Sequence, residues 1–244
     1  MAAQRASSRV LGRVDTGGLA KRVEEVRFLV FGRSLPAVLF GILGYRVLMS
    51  LVGQVRALPA HPSPWDVAAG PLPTGLYFFF CSIPVAIYLT RPRPRARDGR
   101  LVARAAALTG TTMLLVVGIF GAPVLFTPPE ALRIASTPLT IAAFALAVWG
   151  LLTLRRSLSI IPEARSLVTG GPYRYIRHPL YTAEITAALC VVLARPALWA
   201  VVSLLPFIAV QALRAHFEEG LLLRSFSEYA GYRDHTWRFI PGIW

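Results

Sequence analysis

The sequence predicts an all-α fold: a polytopic membrane helix bundle of about six spans, with a C-terminal helical hairpin and both termini cytoplasmic. Three observations carry this. Of 244 residues, 55% are hydrophobic and only 16% are charged, whereas soluble domains average about 25% charged. Several apolar runs approach the roughly 20 residues that a helix needs to cross the hydrocarbon core. The 26 basic residues, of which Lys21 is the only lysine, sit in blocks between those runs.

Residues 1–33 read as a basic cytoplasmic arm. They hold Arg5, Arg9, Arg13, Lys21, Arg22, Arg27 and Arg33, with no early apolar core of the kind a cleavable signal has. Spans are then expected over residues 34–53, 72–90, 105–126 and 136–154, forming a four-span bundle within residues 34–156. Residues 157–244 form a C-terminal region with two further spans, 179–194 and 197–213. Only Arg195 and Pro196 separate these two, which predicts a tight hairpin, and Pro206 is positioned to kink the second.

With six spans, 22 basic residues fall on one side and three (Arg56, Arg133 and Arg195) on the other, leaving Arg46 inside the first span. Cytoplasmic loops carry this kind of excess, which puts both termini in the cytoplasm. The net charge of +14 therefore belongs to topology and to anionic lipid headgroups. No soluble stretch is long enough to build a nucleic-acid-binding face, so the expected partner is the bilayer. Cys81 and Cys190 lie inside apolar runs and read as small buried hydrophobes.

Polar chemistry gathers in the last 90 residues, where three of the four histidines lie. In "GGPYRYIRHPLYTAE", residues 170–184, Gly170 and Gly171 form a turn that lets backbone approach a ligand. Pro179 suits the first turn of the fifth span, and His178 falls at its N-cap. Tyr181 and Glu184 share a face three residues apart. That helix N-terminus, with Arg174 and Arg177 close by, would welcome an anion. Further on, Arg214 and Glu218 are spaced as a simple surface pair. The adjacent Glu218 and Glu219 would repel each other unless cations or hydroxyls met them. The chain has no P-loop, no GxGxxG and no HExxH, and "HFEE" matches no standard metal spacing, so no metal is expected.

These residues carry a resemblance. The "RHPLY" of Arg177, His178, Pro179 and Tyr181, then a two-span hairpin, then Glu218-Glu219, is similar to the isoprenylcysteine carboxyl methyltransferase and phospholipid methyltransferase superfamily over residues 150–244. The resemblance implies S-adenosylmethionine bound by membrane helices, with Gly171, Tyr173, Arg177, His178, Pro179, Tyr181, Glu218 and Glu219 around it. It implies methyl transfer to a lipophilic acceptor, either a prenylcysteine-type carboxylate or a lipid headgroup. A carboxylate acceptor needs only alignment. An amine or hydroxyl needs a base, for which Glu184 and His216 are the candidates. Arg238, in "WRFIPG", is the residue expected to meet an anionic acceptor.

Two rival readings remain at this point. Membrane sterol reductases share a similar C-terminal architecture but use a nicotinamide cofactor, and carboxylates at Glu218 and Glu219 suit an amine better than a phosphate. A non-catalytic subunit or transporter would place its polar groups near the midplane and in repeated halves.

Overall fold

The computed structural model describes residues 16–119 and 123–243. The first 15 residues of the expected basic arm and positions 120–122 of the expected third span lie outside the described residues. The chain is mostly helical, and the helices begin earlier than the sequence suggests. Helix α1 (Thr16–Arg27) passes through a π-helical stretch (Phe28–Ser34) directly into α2 (Leu35–Arg56). The arm is thus continuous with the first span, because nothing between Arg27 and Leu35 breaks a helix. Phe28 is buried there under the guanidinium groups of Arg33, Arg93 and Arg97.

A short α3 (Pro64–Ala69) is started by a capping box, in which the Ser63 hydroxyl accepts from the Asp66 amide while the Asp66 carboxylate accepts from the Ser63 amide. Then come α4 (Pro71–Thr90), α5 (Leu101–Ile119), α6 (Glu130–Leu154), α7 (Pro179–Ala194), α8 (Leu198–Ser225) and a final turn α9 (Tyr229–Asp234). Among the described residues, four helical segments are long and apolar enough to cross a membrane: Lys21–Arg56, Pro64–Thr90, Glu130–Ser157 and Leu198–Ser225. Helix α7 is a shorter apolar helix. Many large apolar side chains, among them Phe31, Leu39, Ile42, Phe79 and Leu205, face outward, as lipid-facing surfaces require. Arg46 is among the exposed residues, consistent with a long side chain reaching toward the interface. Both cysteines are buried and unbridged.

In space the principal neighbours run α2, α4, α6, α7, α8, α5. The hairpin of α7 and α8 is therefore wedged between α6 and α5 instead of trailing the earlier spans. Small residues permit it. Ala143, Ala147 and Gly150 are buried on α6, and a Cβ at Gly150 would lie 2.9 Å from Leu180 of α7. Close backbone approach of this kind is how membrane helices gain packing without a hydrophobic drive. Helix α8 runs unbroken through Pro206. At one end of the bundle, Leu125 donates to the Pro196 carbonyl (2.9 Å) and Leu198 to that of Pro123 (3.1 Å), closing the hairpin turn.

The opposite, arginine-rich end is closed by a two-residue antiparallel pair, β1 (Ala96–Arg97) with β2 (Glu163–Ala164). Glu163 is the centre of this clasp. It meets Arg165 at 2.6 Å, Arg97 at 2.9 Å and Arg91 at 3.6 Å, and accepts from the Ser159 hydroxyl at 2.8 Å. Beside it, Arg100 holds the Asp98 carboxyl below its ordinary range through direct hydrogen bonds.

Candidate active site

The His-Pro step sets the geometry. Pro179 supplies the first residue of α7, where a missing N–H costs nothing, and leaves His178 at the N-cap with its imidazole free of capping duty. The ring stacks on Tyr181, centroids 5.4 Å apart and nearly parallel, with Phe239 on another side. Helix α8 brings up the two glutamates. Adjacent residues on a helix point about 100° apart, so the pair separates and neither faces the other.

Glu219 turns to two arginines and a histidine of the chain itself. Its Oε1 lies 3.0 Å from Arg177 Nε, 3.0 Å from His178 Nε2 and 3.3 Å from Arg238 Nε. Around this hub the C-terminal segment is stitched to the start of α7. The amides of Arg177 and His178 donate to the carbonyls of Trp237 (2.8 Å) and Arg238 (3.2 Å), and Trp237 donates back to Tyr175 (3.0 Å). Thr182 adds a bond to the Phe239 carbonyl. Arg177 also donates to the carbonyls of Arg233 and Thr236.

Glu218 turns the other way, accepts from the Tyr181 hydroxyl, and faces a cavity of about 1180 Å³, part of it open to solvent. Tyr173, Arg177, His178, Tyr181, Glu184 and Glu218 line that cavity. Four of the ten candidates do not. Gly171, Pro179, Glu219 and Arg238 stand behind it as supports. Gly171 has φ +56° and packs on α6 so closely that a Cβ would fall 2.5 Å from Thr153 Oγ1. We expect Gly171→Ala to destabilise the protein by roughly 1–3 kcal/mol through left-handed backbone strain and overpacking. A thermal midpoint in detergent equal to wild type would show that the contact relaxes freely.

His216, the other candidate base, is exposed and points away from the cavity. Tyr229 and Tyr232 pack against each other; Tyr232 donates to the Tyr173 carbonyl at 2.7 Å, and both rings also line the cavity. Burial pushes the Tyr232 phenol up to about 12 and raises those of Tyr173 and Tyr229 as well. These phenols are neutral donors at physiological pH.

Arg214 is the residue that the motif reading missed. It is not a surface partner of Glu218 but is 5% exposed and lines the cavity. Its guanidinium lies over the Tyr181 ring at 4.6 Å and donates to Gln211 Oε1 at 2.8 Å. Gln211 in turn donates to Glu184. Gln211, Arg214 and Glu218 sit at i, i+3 and i+7, a polar stripe on one face of an apolar helix, and that pattern was available in the sequence. Beyond this stripe the cavity wall becomes apolar, with Phe40 of α2, Phe80 and Pro84 of α4, and Leu151 and Leu154 of α6.

A search of curated proteins finds no match. Residues 131–229, which span α6 to the start of α9 and hold the paired glutamates and the His-Pro step, are similar to the phospholipid methyltransferase family, one of the integral-membrane methyltransferases.

Proposed function

We propose that the protein transfers a methyl group from S-adenosylmethionine to a lipophilic acceptor at the arginine-rich, cytoplasmic face of the membrane. The observation that carries this is one continuous cavity: it joins Glu218, His178 and Tyr181 at its mouth to an apolar wall built by α2, α4 and α6. The residues present suit the cofactor. Glu218 is a carboxylate with hydrogen-bonding capacity left for an amine or ribose hydroxyls, and Tyr173, Tyr181, Tyr229 and Tyr232 offer aromatic faces for an adenine. Tyr229 Oη is buried without a protein partner, which is the kind of group a bound ligand satisfies.

When bound, the sulfonium supplies a methyl group that is already activated. The chain's own work is then alignment and exclusion of water. His178 and Tyr181 fix the Glu218 side of the mouth, Glu219 holds Arg177 and Arg238 in place, and the apolar wall admits the acceptor's hydrocarbon part. In this arrangement both termini are cytoplasmic, about six segments enter the bilayer, and residues 157–244 supply most of the polar groups. For an acceptor that must lose a proton, Glu184 is the base, since it faces the cavity and His216 does not.

Calorimetry with detergent-purified protein tests this. Wild type should bind S-adenosylmethionine saturably, and His178→Ala and Glu218→Gln should each weaken binding by roughly tenfold or more, about 1.4 kcal/mol. Reduced nicotinamide dinucleotide should not compete. A folded wild type that binds the nicotinamide and not S-adenosylmethionine would put the reductase reading first.

A further inference from the structure

We propose that Arg214, and not Arg238, is the cation that receives an anionic group of the acceptor, and that it sets the enzyme's preference for anionic over neutral lipophiles. This rests on the methyltransferase reading above. Arg238 is committed to Glu219 at 3.3 Å and stands outside the cavity wall. Arg214 lines the cavity, and its buried Nε has no hydrogen-bond partner. A guanidinium with an unmet N–H in a low-dielectric cavity is a receptor for a carboxylate or phosphate oxygen, because charge-assisted bonds are strongest there.

The guanidinium is held ready on three sides. Gly110 of α5 makes room for its stem, since a Cβ there would lie 2.6 Å from Arg214 Cδ. The Tyr181 ring supports its face at 4.6 Å, and Gln211 fixes Nη1. Glu184 balances the charge at 3.9 Å from Nη1, beyond hydrogen-bond range, while its own carboxylate is taken by Gln211. That arrangement avoids an uncompensated buried cation before the acceptor arrives yet leaves Nε available.

Position agrees with this role. Along α8, Arg214 is one turn, about 6 Å, from Glu218, on the side of the apolar wall. An amphiphile whose chain lies against Phe40, Phe80 and Leu151 would stop with its head at Arg214, beside the polar mouth.

The test uses wild type, Arg214→Gln, Arg214→Lys and Arg238→Gln in nanodiscs. Each is titrated with two matched pairs, palmitate with palmitamide and lysophosphatidate with monopalmitoylglycerol, and separately with S-adenosylmethionine. In wild type at least one anion should bind roughly tenfold tighter than its neutral partner, the strength of one charge-assisted contact. Which pair shows the ratio tells carboxylate from phosphate. Arg214→Gln should bring that ratio close to one and leave S-adenosylmethionine affinity unchanged; Arg214→Lys should retain part of it, and Arg238→Gln should keep it.

The proposal is overturned if wild type prefers neither anion, if the ratio survives Arg214→Gln, or if Arg238→Gln abolishes it. It is also overturned if Arg214→Gln loses S-adenosylmethionine binding and keeps the ratio, because the cation would then serve the cofactor's carboxylate. If Arg214→Gln fails to fold, Gly110→Ala displaces the Arg214 stem instead and should lower the same ratio. A folded wild type with no S-adenosylmethionine affinity would sink the methyltransferase reading separately.

Discussion

Glu219→Ala is expected to loosen residues 235–239 from the start of α7 and to abolish methyl transfer, although Glu219 does not line the cavity. One oxygen of this carboxylate is shared by Arg177, His178 and Arg238. Arg177 and Arg238 side chains are only 12% exposed. Removing the carboxylate leaves two largely buried guanidinium groups facing each other and the imidazole without their common acceptor. Breaking a buried pair from one side typically costs about 3–5 kcal/mol, because the remaining charge is stranded. The segment would then be held by the backbone bonds between residues 175–178 and 237–238, the Thr182 bond to the Phe239 carbonyl and the Arg177 bonds to the carbonyls of Arg233 and Thr236. Hydrogen exchange should rise at the amides of Arg177, His178 and Trp237, and S-adenosylmethionine affinity should fall with it. Unchanged exchange together with lost binding would instead make Glu219 a direct ligand contact.

The second large effect is expected at Glu163, just ahead of the motif stretch in sequence but outside it. Arg91 and Arg165 have side chains only 4% and 3% exposed, and both lean on this carboxylate together with Arg97. The clasp joins residues 91–97 to residues 158–165, and Leu158 through Ile161 and Glu163 itself line the cavity. Glu163→Ala should therefore cost about 3–5 kcal/mol, a fall in the thermal midpoint of roughly 10 °C for a chain of this length. Adding Arg91→Met should recover part of the loss, since the double change strands one guanidinium fewer. A midpoint within about 2 °C of wild type for Glu163→Ala would show that water, not Glu163, compensates these arginines.

Acid should reveal a smaller contribution from Asp98. Its carboxyl is held below the ordinary range chiefly by the Arg100 side chain. A depressed folded value means the unfolded chain binds the proton first. The stabilisation is present above the unfolded value, near pH 4, and is lost as pH falls through the folded one. Asp98→Asn should remove this part of the acid sensitivity, and melting curves between pH 6 and pH 3 would detect it.

The sequence by itself determined the composition class, the hairpin, the position of Pro179 at the start of α7 and six of the residues that line the cavity. These are local properties. Apolar run length selects membrane helices, a proline at the first helical position marks a helix start, and short motifs survive being read in one dimension. Three things were decided only by tertiary structure. The first is the division of labour between Glu218 and Glu219, which the helical turn sends to opposite tasks once α7 and the C-terminal segment pack on α8. The second is the placing of α5 against α8 and not beside α4, which follows from where small residues allow helices to approach. The third is the burial of Arg214. An arginine four residues before a glutamate looks like a surface pair until Gly110, on another helix, leaves the space that draws it inside.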